Sequence, residues 1–172
     1  MTASGTWKNT DIVYVVTGPI TVRNSATLNI APGVIVKFVK DSHINVLGSF
    51  RSIGTAEQPL ILTSQKDDRN GGDTNGDESS SAPAAGDWTM IRFYNERNDS
   101  NCIIDHTWIK YAGRFKSDKY GAIHILSASP TLSNNTITDS FFYGIWYDSN
   151  SSPKIINNKY ERNVQGDDFR AP

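Results

Sequence analysis

The chain of 172 residues is poor in the features that narrow a function quickly. It has one cysteine, Cys102, which excludes an internal disulfide framework and any cysteine-rich zinc site. It has no charge surplus: 17 Lys+Arg stand against 18 Asp+Glu, a net charge of −1. A phosphate backbone needs clustered cations, so nucleic acid is not an expected partner. No run approaches about 18 consecutive apolar residues, so no helical membrane span is expected. Met1–Gly5 lacks the basic-then-apolar pattern of a secretory signal, and the chain reads as a piece cut from a longer protein. Helical periodicity is missing too, because apolar residues do not recur at i, i+3, i+4 and i+7.

What remains is a set of short β-branched runs. These are Ile12–Val16, Ile20–Val22, Thr27–Ile30, Val34–Phe38, Ile44–Val46 and Leu60–Thr63. Turn residues separate them, among them Gly18-Pro19, Asn24-Ser25, Pro32-Gly33 and Gly54. Short strands at this spacing predict an all-β protein. An internal repeat selects the architecture. Ser129-Pro130-Thr131-Leu132-Ser133-Asn134-Asn135-Thr136-Ile137 recurs 23 residues later as Ser152-Pro153-Lys154-Ile155-Ile156-Asn157-Asn158-Lys159-Tyr160. Gly121-Ala122-Ile123 and Gly144-Ile145-Trp146 keep the same offset. A weaker copy, Ile104–Ile109, aligns with Leu132–Ile137 at an offset of 28, which implies a five-residue insertion within Arg114–Lys119. A helix-free period of this length predicts one coil of a parallel β-helix.

Stacked coils lie about 4.8 Å apart, so equivalent residues form ladders. Ile104, Leu132 and Ile155 are expected to make one inward ladder, and Ile109, Ile137 and Tyr160 a second. A third would pair Ala122 with Ile145 or Ile123 with Trp146, according to strand parity. Thr107, Asn135 and Asn158 fall at a bend, where Asn tolerates left-handed backbone and stacked amides bond from coil to coil. Five to six coils fit, a stack of about 25–30 Å. The reading is a single right-handed parallel β-helix over residues 1–172, with a long loop at 65–86 and its clearest repeats at 121–163. Trp7 and the Ile12–Val16 run are expected to cap the N-terminal end. Self-association through the solenoid ends is a further expectation.

With these residues in hand, the chain resembles the right-handed parallel β-helix repeat proteins with a pectin-lyase-like fold, of the bacterial and archaeal cell-surface or secreted type. Gly18–Val22 with Ala26–Phe38, Ile44–Gly48 with Gly54–Ser64, and Gly71–Asp77 leading to Gly86-Asp87-Trp88 carry the resemblance. Similar segments often have Gly-Gly after the Trp, where this chain has Thr89-Met90. The resemblance implies an extracellular or cell-surface location and a structural or adhesive module that holds a polysaccharide or surface glycan. It also admits polysaccharide lyases, glycosidases and trimeric phage tailspikes, because one fold hosts many functions.

Two candidate sites stand out. In the loop, Asp73-Thr74-Asn75-Gly76-Asp77 alternates oxygen side chains around a turn glycine. Asp73, Asn75 and Asp77 would supply three of the roughly six to eight oxygens that Ca²⁺ takes. The alternative is a solvated acidic loop. The second candidate is aromatic. Trp108, Trp146 and Tyr147 are placed to offer flat rings to sugars, although such rings also fill cores. For catalysis, an inverting glycosidase needs carboxyls about 6.5–9.5 Å apart. Asp105, Asp139 and Asp148 fall at different places within the coil, so no catalytic residue is assigned. His106 aligns with Asn134 next to the bend, and His43 and His124 read as isolated. Of the sequons at Asn98, Asn134 and Asn150, the repeat itself accounts for Asn134.

Overall fold

A computed structural model describes residue 1 and residues 3–94, 101–114 and 120–172. The sequon at Asn98 and most of the insertion placed at Arg114–Lys119 lie outside the described residues. Eighteen strands wind into six coils of three. The coils are β1 (Gly5–Trp7), β2 (Val13–Val16), β3 (Ile20–Val22); β4 (Thr27–Ile30), β5 (Ile35–Phe38), β6 (Ile44–Val46); β7 (Ser49–Ile53), β8 (Leu60–Ser64), β9 (Ile91–Tyr94); β10 (Ile103–Asp105), β11 (Thr107–Lys110), β12 (Gly121–Leu126); β13 (Thr131–Ser133), β14 (Thr136–Thr138), β15 (Tyr143–Tyr147); and β16 (Lys154–Ile156), β17 (Lys159–Glu161), β18 (Gly166–Arg170). The first strands of the coils form one parallel sheet, the second strands another and the third strands a third. Among the described residues no helix is long and apolar enough to cross a membrane.

Alternation along each strand sends one face into a shared core. Ile104, Leu132 and Ile155 are in register on the first sheet, and Ile109, Ile137 and Tyr160 on the second, as the repeat predicts. The third ladder differs. Ile123 pairs with Ile145, and His124 with Trp146, an offset of 22 rather than 23. The corner after β12 is one residue tighter than the corner after β15, so the third sheet loses the common offset. A one-residue slip exchanges the two faces of a strand. The inward rows there are Ile44–Ile91–Ile123–Ile145 and Val22–Val46–Phe93–Ile125–Tyr147.

The corners explain the Asn pairs, with a division of labour the repeat alone did not reveal. Left-handed backbone belongs to the first member: His106 (φ 45°), Asn134 (54°) and Asn157 (51°). The second member ties the coils together. Asn135 accepts from the Thr107 N–H at 3.0 Å and donates to the Ile104 carbonyl at 2.9 Å. Asn158 accepts from the Asn135 N–H at 2.9 Å and donates to the Leu132 carbonyl at 2.9 Å. The next corner repeats the device. Tyr111, Asp139 and Arg162 take positive φ, and Asn163 bonds both the Ser140 N–H and the Ile137 carbonyl.

Trp7 and the Ile12–Val16 run do not form a separate cap. Trp7 and Val13–Val16 are strands of the first coil. The rings of Trp7 and Tyr14 stack 5.2 Å apart and pack half-buried against the core.

Asn135→Ala removes two bonds from a wholly buried corner and takes from the Thr107 N–H its side-chain acceptor. The expected loss is about 2–4 kcal/mol, read from urea unfolding. Asn157→Gly, at an exposed left-handed position, is expected to stay within about 0.5 kcal/mol, whereas Asn157→Val costs about 1–2 kcal/mol.

Candidate functional site

The outer face of the second sheet carries both candidate features. The long loop lies over part of it, against Val13, Ile35 and Lys37. Gly71 (φ 82°) lies so close to β2 that a Cβ there would meet Val13 Cγ2 at 2.6 Å. Lys37, on the outward row of β5, is wholly buried and donates its Nζ proton to the Gly72 carbonyl. Asp67 is pinned to the sheet by the Thr63 hydroxyl at 2.6 Å and the Lys110 ammonium at 3.4 Å. At the far end of the loop, Trp88 stacks on Phe38 at 4.1 Å, and its indole N–H donates to the Lys110 carbonyl at 2.7 Å.

Beyond the loop the face opens. Trp108 is 42% exposed on β11, in register with Ile61 of the coil above and with Thr136 and then Lys159 of the coils below. A groove of about 340 Å³ runs beside it, lined by Trp108, Lys110, Thr136, Thr138, Lys159 and Glu161, with Arg162 at its edge. Arg162 grips Asp139 with two bonds of 2.7 and 2.9 Å. Burial pushes the Asp139 carboxyl up, but Arg162 foremost, with Thr138 and the Lys110 charge, holds the group below the usual carboxylate range. Lys159 has no ion pair among the described residues. The groove therefore offers a flat ring, threonine side chains and an uncommitted ammonium.

The other two aromatic candidates lie elsewhere. Trp146 is outward on the third sheet but only 7% exposed, its ring stacked 4.5 Å from His124 at an interplanar angle of 5°. Tyr147 ends an inward row and packs half-buried against the core. The structure thus does not gather Trp108, Trp146 and Tyr147 into one platform. Thr136, Thr138 and Lys159, which complete the groove, escape sequence reasoning because only the register of β11, β14 and β17 aligns them.

In the loop, Asp73 and Asp77 converge with Asp68, one carboxylate oxygen of each lying within 4.8 Å of the others. Asn75 is beside them, its amide N–H donating to Asp77 at 2.7 Å. Four backbone N–H groups, that of Glu78 foremost, hold the Asp73 carboxyl below its ordinary range. Asp68 was not distinguished in the sequence, because it sits five residues before the alternating motif.

The remaining acids serve the corners. Asp105 accepts from Ser133 at 2.6 Å and Asn134 at 2.9 Å and pairs with His106 at 2.9 Å. Asp148 accepts from the Ser127 N–H and the Ser151 hydroxyl. Cys102 is buried, its thiol donating to the Gly48 carbonyl at 3.5 Å.

A family model described as a pectate-lyase-like β-helix domain matches residues 1–126. The three sheets continue unbroken through β13–β18 beyond that match. No curated protein and no solved structure matches the chain.

The third sheet generates a pH dependence. Burial, and then the Arg92 charge, push the His124 imidazole down to about 3. The unfolded chain binds that proton below about pH 6.5 and the folded chain does not, so stability is complete above pH 6.5 and falls on acidification. Urea unfolding between pH 6.5 and about 4.5 is expected to show a loss approaching 1.4 kcal/mol per pH unit. In His124→Gln that slope should flatten.

Proposed function

The chain belongs to the pectate-lyase-like β-helix domain family, and from that premise we propose that it is a non-catalytic, secreted or cell-surface module that holds carbohydrate against the second sheet. The observation that carries this reading is Trp108, the one large apolar side chain exposed outside the first and last coils among the described residues. Its ring borders a groove with threonines and a free ammonium. Sugar rings have apolar faces that stack on indole, and hydroxyl and ammonium groups bond their rims. A solenoid face is extended along one direction, which suits a chain of sugars more than a compact metabolite.

The fate of the acids supports a binding role over hydrolysis. Asp105, Asp139 and Asp148 sit at corners and are each committed to hydrogen bonds or an ion pair. A glycosidase needs two carboxyls facing one groove. Glu161 is the one carboxylate that lines this groove, and it is tied to Arg162 at 3.0 Å.

Calorimetry against a panel of neutral and acidic polysaccharides tests the reading. One class is expected to bind, and Trp108→Ala to weaken it about tenfold or more, with the fold intact. Lys159→Ala should weaken acidic chains selectively. No binding across the panel, or equal binding by Trp108→Ala, overturns the site. Release of an unsaturated or reducing product from any member overturns the non-catalytic assignment.

A further inference from the structure

The acidic cluster of the loop brings three carboxylates together. Like charges this close repel, and proteins normally answer with a cation or a shared proton. Among the described residues, no ion pair reaches Asp68, Asp73 or Asp77. Lys37 feels the field of Asp68 and Asp73, yet its ammonium donates to the Gly72 carbonyl instead.

A second observation is independent of the clustering. Asp68 Oδ1, Asn75 Oδ1 and Asp77 Oδ1 are closed off from solvent and have no hydrogen-bond partner. The other oxygen of each carboxylate is engaged. Asp68 Oδ2 accepts from Ser79 at 2.8 Å, and Asp77 Oδ2 from the Ser81 N–H at 3.1 Å. Asp67, whose side chain is 1% exposed, also leaves its Oδ1 unpartnered while Thr63, Asn70 and Lys110 hold its Oδ2, and the cavity of about 430 Å³ that it lines with Asp68 and Ser79 is bordered by Lys66 and Arg69 as well. Buried oxygens without donors are rare in folded proteins and mark a missing partner. Here the unanswered atoms are all acceptors, and the shared need is for positive charge.

We propose that Asp68, Asp73 and Asp77, with the Asn75 amide oxygen, bind a single Ca²⁺ that closes the loop onto the second sheet. The donor set is all oxygen, which selects a hard cation over zinc or copper. Oxygens on opposite sides of a calcium ion stand about 4.6–5.2 Å apart, and the three carboxylates fall within that span. The short loop supplies backbone carbonyls and water for the remaining positions, a variable shell that Ca²⁺ accepts and Mg²⁺ resists. The Ser79 and Ser81 bonds orient the ligands before the ion arrives. The site lies on different residues from the Trp108 groove and stands whether or not that groove binds sugar.

The test is titration of the chelator-treated full chain with Ca²⁺ alone, followed by calorimetry and thermal melting. One ion per chain is expected, with the unfolding midpoint rising by about 5 °C at about 1 mM Ca²⁺. Mg²⁺ at the same concentration should shift it far less. Asp68→Asn and Asp77→Asn should each weaken binding about tenfold or more, while Asp87→Asn, whose carboxylate serves Ser64 and Lys66, should not. Absence of both heat and midpoint shift up to about 10 mM Ca²⁺ overturns the proposal. So does wild-type affinity in Asp68→Asn. If a variant fails to fold, the wild-type calorimetry decides alone, and equal binding of Mg²⁺ overturns the assignment to calcium.

Discussion

Everything in this protein depends on the in-register stacking of parallel strands from one coil to the next. A parallel strand can pair only with a strand that has travelled a full circuit, so every corner must return the chain to the same register. The inward rows on the first two sheets, closing on Ile155 and Tyr160, exist only because that return is kept. The corner amides of Asn135, wholly buried, and Asn158, half-buried, enforce it, since each bonds backbone of the preceding coil while its own backbone or side chain is bonded by a neighbour. Polar groups buried at a corner are costly when unpaired, and that cost makes a slipped register unfavourable.

The same constraint decides where chemistry is possible. Corners take the acids Asp105, Asp139 and Asp148 and spend them on structure. Sheet faces carry the outward side chains that the corners do not engage. On the third sheet, the outward row Arg92–His124–Trp146 is covered and stacked upon itself. On the second, the loop lies against Val13, Ile35 and Lys37, and Trp108 stands open to solvent beyond it. Lys110 joins the two parts, since it bonds Asp67 of the loop and lines the groove.

Much of the fold was legible because a solenoid writes its architecture as a period. Leu132 and Ile155, or Ile137 and Tyr160, are 23 residues apart in sequence and adjacent in space. The third sheet was misread for a local reason. One residue fewer at the corner after β12 changes the offset to 22, and a period read from neighbouring coils cannot detect a compensation between two corners. The candidate site was less legible. Asp73 and Asp77 are close in sequence, so their meeting was foreseen, but Asp68 joins them through a fold of the loop.

The sequence by itself determined the coil, its two inward ladders and the corner amides, because those follow from repetition and from the burial of β-branched side chains. It determined also that Trp108, beside an inward Ile109, would face outward. Tertiary structure decided which outward rings remain in contact with solvent. Trp108 and Trp146 have the same strand logic, yet one is open and the other is covered by the stacking of His124. Exposure depends on what lies over a face, and that is set by loops and neighbouring coils distant in sequence.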